Sequence, residues 1–185
     1  INGSTLTAFR TALCTSLGLV KTFPVDVKYF NNETLVVFGV GDQAVWLVRL
    51  AWILYPHRFS KVVCVNRTLQ KAKDYCSYMS KGYESTLEFI PIEMGDEQLK
   101  EYFKSTSVVF TCVPSTVPTV TLELTSLAQG KLFIGAIGSY KPQMIEIDGD
   151  VLNEVLKAGG KILVDSKEHC LHEAGEFIQN RIQED

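Results

Sequence analysis

The most constraining feature of the sequence is a short apolar run followed at once by two closely spaced glycines. Residues 35–38 are uninterruptedly apolar, and residues 39–44 read Gly-Val-Gly-Asp-Gln-Ala. Such a run is typical of a strand buried on both faces of a parallel sheet. The G-x-G-x-x-A spacing is typical of a tight turn that opens a helix. The segment therefore predicts a strand, a turn and a helix, the first unit of a doubly wound α/β fold.

The two glycines and the start of the helix have the properties that a phosphate site needs. Gly39 permits the tight turn, and Gly41 removes a Cβ where a pyrophosphate has to approach. Ala44 keeps the helix near the strand, and the first N–H groups of the helix attract a phosphate. Asp42 suits the helix dipole but lies near the anion, so we expect its side chain to point outward. Gln43 completes this predicted set of cofactor-binding residues.

The end of the second predicted strand indicates which dinucleotide is bound. Proteins of this type that bind NAD carry Asp or Glu there, roughly 20 residues beyond the glycines, to bind the ribose hydroxyls. This chain has Asn66, followed by Arg67 and Thr68. A neutral amide does not repel a 2′-phosphate, and an arginine can pair with one through two donors. We therefore predict a preference for NADP(H), with NAD(H) as the second candidate. The alternative reading is a solvated surface arginine.

Short β-branched runs alternate with helix-length amphipathic segments along the whole chain. Strands are predicted at residues 34–38, 61–65, 87–92, 108–112, 131–136 and 161–165. Helices are predicted at residues 4–19, 42–55, 68–81, 96–104 and 150–158, between Pro118 and strand five, and from Glu168 onward. This alternation is what βαβ units produce. We expect a Rossmann-type doubly wound, mostly parallel sheet of about six strands with helices on both faces.

Composition limits the chain to an ordinary folded domain and excludes several classes of partner. Of the 185 residues, 46% are hydrophobic and 21% charged, so disorder and low complexity are excluded. With no repeat or linker in view, residues 1–185 are predicted to form a single NAD(P)-binding domain. A net charge of -3 gives nothing that attracts nucleic acid or an anionic membrane. The longest apolar stretch, residues 45–54, is about half the ~20 residues of a membrane span.

The cysteines and histidines indicate neither disulfides nor a metal. The five cysteines are odd in number and lack C-x-x-C spacing, so we expect buried free thiols in a reducing compartment, and hence a cytoplasmic location. His169 and His172 are spaced to share a helix face, but no third ligand lies at a suitable spacing, so no metal is expected. Glu173 and Glu176 are interpreted as a solvated helix face. The cysteines are Cys14, Cys64, Cys76, Cys112 and Cys170.

Five segments, taken in order, resemble the ornithine cyclodeaminase/mu-crystallin family over essentially the whole chain. They are Leu-Thr-Ala-Phe-Arg-Thr-Ala at 6–12, the glycine segment at 39–44, Thr-Cys-Val-Pro-Ser-Thr-Val-Pro at 111–118, Gly-Ala-Ile-Gly-Ser-Tyr-Lys-Pro-Gln-Met-Ile-Glu-Ile-Asp at 135–148, and Val-Asp-Ser at 164–166 with Glu-Ala-Gly-Glu at 173–176. The turn at 66–68 is similar to that of the NADPH-binding ketimine reductases of the family.

The resemblance implies that the chain is the dinucleotide-binding middle of a longer, homodimeric protein. The substrate and dimerisation domain would be formed by residues before Ile1 and after Asp185, so the isolated chain is expected to be inactive. By the family pattern Arg10 holds the carboxylate of the substrate near the nicotinamide, and Thr11 lies near the cofactor phosphates. A snorkelling surface arginine is the alternative for Arg10. Further cofactor contacts are expected from Thr111, Cys112, Val113, Ser115 and Gly138.

The resemblance also implies an oxidoreductase that reduces the C=N bond of a small imino acid or ketimine with NADPH. In deaminating relatives an Asp after strand five acts on the substrate amine, and Tyr140 stands at that place here. A phenol titrates near ~10, so Tyr140 cannot be a carboxylate base at neutral pH. Two alternatives stay open: a cyclodeaminase-type lyase with tightly bound NAD, and a dinucleotide-binding protein without turnover.

Overall fold

A computed structural model describes residues 3–28, 32–83 and 87–182. Over these ranges strands and helices alternate, as the sequence pattern predicts. In chain order the elements are α1 (Gly3–Thr22), β1 (Glu33–Phe38), α2 (Asp42–Leu54), β2 (Phe59–Asn66), α3 (Leu69–Ser80), β3 (Glu88–Glu93), α4 (Gln98–Phe103), β4 (Thr106–Thr111), α5 (Leu122–Thr125), β5 (Phe133–Ala136), α6 (Gly149–Lys157), α7 (Lys167–Glu173) and α8 (Gly175–Gln179). The first five predicted strands are confirmed, with each end within two residues of its predicted position.

The strands form one parallel sheet in the order β3-β2-β1-β4-β5. The central strand, β1, places Val36 opposite Val63 of β2 and Val109 of β4. The chain turns in opposite directions on the two sides of β1, which makes the carboxyl end of β1 the switch point where such sheets bind ligands. The predicted doubly wound class is therefore confirmed.

Helices cover both faces of the sheet, and each face has its own apolar layer. Leu35 and Val37 of β1 face a layer formed with α1, α2 and α3, whereas Val36 and Phe38 face a layer formed with α4 and α6. Both sides of β1 are therefore buried, which explains its uninterrupted apolar sequence. Within the described ranges, no helix combines the length and apolarity that crossing a membrane requires.

The predicted sixth strand, residues 161–165, is wrong. The sheet ends at β5, and a strand needs a ladder of backbone hydrogen bonds, which this segment lacks among the described residues. Two of its apolar side chains contact neighbouring residues, although its backbone joins none of the described strands. Ile162 contacts the layer beside α6, and Leu163 lies against Gly18 of α1 with 60% of its surface exposed. The three consecutive apolar residues at 162–164 predict burial but do not specify a backbone partner.

The cysteines are all free, as expected, but they are not all buried. Cys64 in β2 and Cys76 in α3 are buried, and Cys112 and Cys170 are half-buried. Cys14 is exposed, so its predicted burial is wrong. It lies beside Leu13 on the outward face of α1, where the apolar residues of the helix do not all turn toward the sheet.

Candidate functional site

The glycine turn holds β1 close to β4 and opens above the start of α2. Gly39 has φ of +93°, a region that favours glycine, and its N–H donates to the Val65 carbonyl over 2.9 Å. A Cβ on residue 39 would lie 2.9 Å from the Cys112 Sγ atom. A Cβ on Gly41 would meet nothing within 4 Å. The space in front of Gly41 is therefore open, as a close-approaching phosphate requires.

The N-terminus of α2 faces this open space. Gly41 is the N-cap residue and supplies no side-chain cap, so the first N–H groups of the helix can serve an anion. Ala44 is fully buried against the sheet, and Asp42 is exposed. Gln43 Oε1 is buried and has no hydrogen-bond partner among the described residues. The open space in front of Gly41 and the uncapped N-terminus of α2 fit a bound pyrophosphate group.

The end of β2 is exposed beside the glycine turn. The Asn66 amide Nδ2 donates to the Thr68 carbonyl over 3.1 Å, which closes the turn into α3. Arg67 and Thr68 are exposed, and Arg67 makes no ion pair within the described ranges. No carboxylate stands where a ribose-binding acid would be, and the guanidinium is available to a ligand.

A groove of about 540 Å³ runs from the glycine turn between α2 and α3. Its charged lining residues are Asp42, Arg49, Lys71 and Asp74, and Gly41 lines it as well. Arg49 donates to the Tyr78 hydroxyl over 3.0 Å and lies over the Trp46 ring at 5.5 Å. The groove thus continues the candidate site on the side of β2, with lysine and aspartate both in its lining.

Three of the side chains predicted to contact the cofactor at the end of β4 make hydrogen bonds within the protein. Thr111 is fully buried, and its hydroxyl donates to Glu146 Oε1 over 2.6 Å, so this side chain supports the loop from beneath. The Cys112 thiol donates to the Phe38 carbonyl over 3.1 Å, and burial raises the pKa of this thiol to about 12. The Ser115 hydroxyl closes a local turn by donating to the Val117 carbonyl over 2.7 Å.

Glu146, to which the sequence reasoning gave no role, joins the loops after β4 and β5. It is fully buried, and its carboxylate accepts the Val113 N–H over 2.6 Å and the Gly138 N–H. Burial raises the pKa of Glu146 more than these donors and the Thr111 hydroxyl lower it. The available signal was an acid flanked by apolar residues at 144–147.

Glu176 is buried, so its prediction as a solvated side chain is wrong. Its carboxylate accepts the Ser139 hydroxyl over 2.7 Å and the Glu146 N–H over 2.6 Å. Gly175 allows this burial, because a Cβ there would overlap the Met144 carbonyl and hold α8 away. Glu173, one turn earlier, is exposed as predicted.

The first half of α1 lies near the carboxyl edge of the sheet. Thr15 of α1 lies against Gly135 near the end of β5, and Thr5 lines the groove at the glycine turn. Arg10 and Thr11 lie between these two points, with Arg10 exposed and Thr11 half-buried. Tyr140 follows β5 and is 59% exposed. Among the described residues, no cluster of three His, Cys, Asp or Glu could hold a metal ion.

Comparison with known proteins shows which proteins the chain resembles. No family model matches the chain. An uncharacterized protein of Saccharomyces cerevisiae is 29% identical over an alignment of 200 positions, gaps included. The alignment covers 96% of this chain and 54% of that protein. The Delta(1)-pyrroline-2-carboxylate reductase of Bacillus cereus is 24% identical over 180 residues, covering 96% and 48%. The chain spans about half the length of the curated relatives it matches.

Solved structures share the fold. Thermococcus litoralis Delta(1)-pyrroline-2-carboxylate reductase, solved with NADH and L-proline, has a TM-score of 0.74 at 20% identity and covers 96% of this chain and 49% of that one. A probable ornithine cyclodeaminase from Bordetella pertussis has a TM-score of 0.68 at 19% identity, covering 94% and 49%. These comparisons confirm that the chain resembles the dinucleotide-binding domain of the ornithine cyclodeaminase/mu-crystallin family.

Proposed function

We propose that this chain binds a nicotinamide dinucleotide across the carboxyl edge of its sheet, with NADP(H) preferred. The observation that carries the proposal is the open cradle at Gly41, which lies at the switch point of the sheet beside an uncapped helix N-terminus. Gly39, Gly41, Gln43 and the start of α2 would hold the pyrophosphate. Arg67, exposed and without an ion pair in the described ranges, would pair with the 2′-phosphate.

In the whole protein we infer reduction of a C=N bond in a small cyclic or α-imino acid. The Bacillus and Thermococcus relatives carry the name of reductases for a cyclic imino acid, which supports this substrate class. When bound, the cofactor supplies a hydride to the C=N carbon and is left as NADP⁺, while the nitrogen gains a proton from water or from residues outside this chain.

The contribution of this chain is to orient both reactants. Arg10, exposed near the carboxyl edge, would hold the substrate carboxylate, and Thr11 would lie near the phosphates. Tyr140 supplies no carboxylate base after β5, which favours imine reduction over cyclodeamination. The free thiols support a cytoplasmic location, which we propose for the protein. A homodimer with most of the substrate pocket outside these residues would leave the isolated chain able to bind cofactor but not to turn over.

Calorimetric titration of the chain with NADPH and NADH tests the cofactor preference. We expect tighter binding of NADPH, and Arg67→Ala should weaken NADPH by about tenfold or more while changing NADH by less than about twofold. Lys73→Ala is the matched control, because it removes an exposed positive charge that does not line the site. Preference for NADH, or equal effects of Arg67→Ala on both dinucleotides, would contradict the assignment. With the full-length protein, ammonia release from ornithine would identify a lyase, and binding without turnover would identify a non-catalytic protein.

A further inference from the structure

We propose that Glu146 is a positioning residue that sets the distance between the two loops flanking the nicotinamide half of the bound dinucleotide. This inference rests on the proposed function. Glu146 is fully buried, and it is not one of the residues that we propose to hold the pyrophosphate. One oxygen accepts the Thr111 hydroxyl and the Val113 N–H, each over 2.6 Å, and the other accepts the Gly138 N–H.

These contacts connect two different strand ends. Val113 comes two residues after the end of β4, and Gly138 comes two residues after the end of β5. In a doubly wound sheet the adenosine half of a dinucleotide lies over the strand next to the glycine turn, here β2, and the other half extends over the opposite side. The opposite side here is β4 and β5. The Glu146 carboxylate therefore ties together the loops on the nicotinamide side only.

The loops after β4 and β5 are in close contact with each other and with Glu146. A Cβ on Gly138 would lie 2.5 Å from both the Val113 carbonyl oxygen and Glu146 Oε1. The backbone of the loop after β5 therefore lies in direct contact with the Glu146 carboxylate. A shift of the carboxylate would move both loops, because a single side chain bonds to each of them.

Glu146 is itself fixed from the other side. Its N–H donates to the Glu176 carboxylate over 2.6 Å, and its carbonyl accepts the N–H groups of Thr119 and Val120 over 2.9 Å. Glu176 also accepts the Ser139 hydroxyl over 2.7 Å, so the loop after β5 is held at two successive residues. The backbone of Glu146 thus has a fixed position from which its side chain sets the two loops.

A carboxylate suits this role because, when ionised, both of its oxygens only accept hydrogen bonds. Thr111, Val113 and Gly138 supply a hydroxyl and two N–H groups, all donating. In Glu146→Gln the side chain would keep one accepting oxygen and turn an NH₂ group toward one of the backbone donors. Glutamine cannot satisfy Val113 and Gly138 together, so the loops should separate although the side chain keeps its size.

The test compares a whole dinucleotide with its adenosine half on the full chain. We expect Glu146→Gln to weaken NADPH binding by about tenfold, to change binding of adenosine 2′,5′-bisphosphate by less than about twofold, and to reduce the fluorescence enhancement of bound NADPH. Glu173→Gln is the matched control, since its carboxylate is exposed one turn before Glu176. Equal losses for both ligands would indicate a merely structural role and overturn the proposal, as would unchanged NADPH binding and fluorescence.

A second variant keeps the test decisive if Glu146→Gln does not fold. Thr111→Val removes one of the three donors and preserves the shape of the side chain. It should produce a smaller loss with the same selectivity for the whole dinucleotide over the adenosine fragment. A loss shared equally by both ligands would again contradict the role of Glu146. If the wild-type chain bound neither ligand, the proposed function itself would fail, which is a different result from loss of selectivity in the variants.

Discussion

A Cβ added to Gly39 would lie 2.9 Å from the Cys112 Sγ atom, so the turn after β1 passes the end of β4 at a distance that only glycine permits. The same residue has φ of +93°. The turn at Gly39 thereby packs directly against the end of β4, and the chain continues into α2. Gly41, two positions on, has no neighbour within 4 Å of its Cβ position and occupies the N-cap position of α2 without a capping side chain. The close contact at Gly39 is thus required by the fold, whereas we propose that the open space at Gly41 serves the approach of a ligand.

Alanine substitutions should separate these purposes. Gly39→Ala places a Cβ against Cys112 at a positive φ, so we expect a loss of roughly 2–4 kcal/mol in the free energy of unfolding. Gly41→Ala should cost less than about 1 kcal/mol in stability, because its methyl group enters open space. It should nevertheless weaken NADPH by about tenfold or more, because that space is where the phosphate approaches. Urea unfolding and calorimetry measure the two effects, and unchanged NADPH affinity in Gly41→Ala would contradict the cradle.

The stability contribution of Glu146 should decrease as the pH rises. Burial raises the pKa of Glu146 in the folded chain above its value in the unfolded chain, so the folded state binds the proton more readily. The contribution is fully present below the unfolded pKa and is lost as the pH rises through the folded pKa. The difference in unfolding free energy between wild type and Glu146→Gln should therefore fall between the unfolded and the folded pKa of Glu146. Above the folded pKa the difference should be constant.

Urea unfolding from about pH 4 to about pH 8 measures this difference. Glu173→Gln, which changes an exposed carboxylate, is the control for the loss of one negative charge. A wild-type advantage that grew with pH would mean that the three hydrogen-bond donors outweigh burial. The pKa of Glu146 would then be lowered rather than raised.

The cysteines should differ in reactivity by position. Burial, and secondly the charge of Glu146, raises the pKa of Cys112 to about 12, so at about pH 8 almost none of it is thiolate. Cys14 is exposed on α1 and should react with iodoacetamide at least about a hundredfold faster. Peptide mass spectrometry after timed labelling measures both rates, with the urea-unfolded chain as the control in which they converge. Labelling of native Cys112 as fast as Cys14 would contradict its placement beneath the glycine turn.

Local sequence patterns predicted the parts of this fold that depend on local chemistry. The apolar run of β1, the glycines after it and the positions of four further strands follow from periodicity and turn residues. Residues 162–164 form a similar short apolar run, but whether a segment joins a sheet depends on a neighbouring backbone that the sequence pattern does not describe. A strand was therefore predicted where packing alone accounts for the apolar side chains.

The supporting residues of the site depend on contacts between distant segments. Glu146 bonds to Thr111, 35 positions away, and Glu176 bonds to the N–H of Glu146, 30 positions away. Charge and helical spacing made Glu176 look like a solvated residue, because the sequence does not display the donors that α8 meets. The sequence places Thr111 at the end of a strand, which predicts a contact with the cofactor. It does not indicate that the Thr111 side chain is buried and bonds to Glu146.

The most direct measurement is a crystal structure of this chain with NADPH. We expect the pyrophosphate to lie against the backbone N–H groups at the start of α2, in front of Gly41, with the 2′-phosphate at Arg67 and the nicotinamide over the ends of β4 and β5. A dinucleotide bound elsewhere, or one whose pyrophosphate does not contact the start of α2, would contradict this expectation.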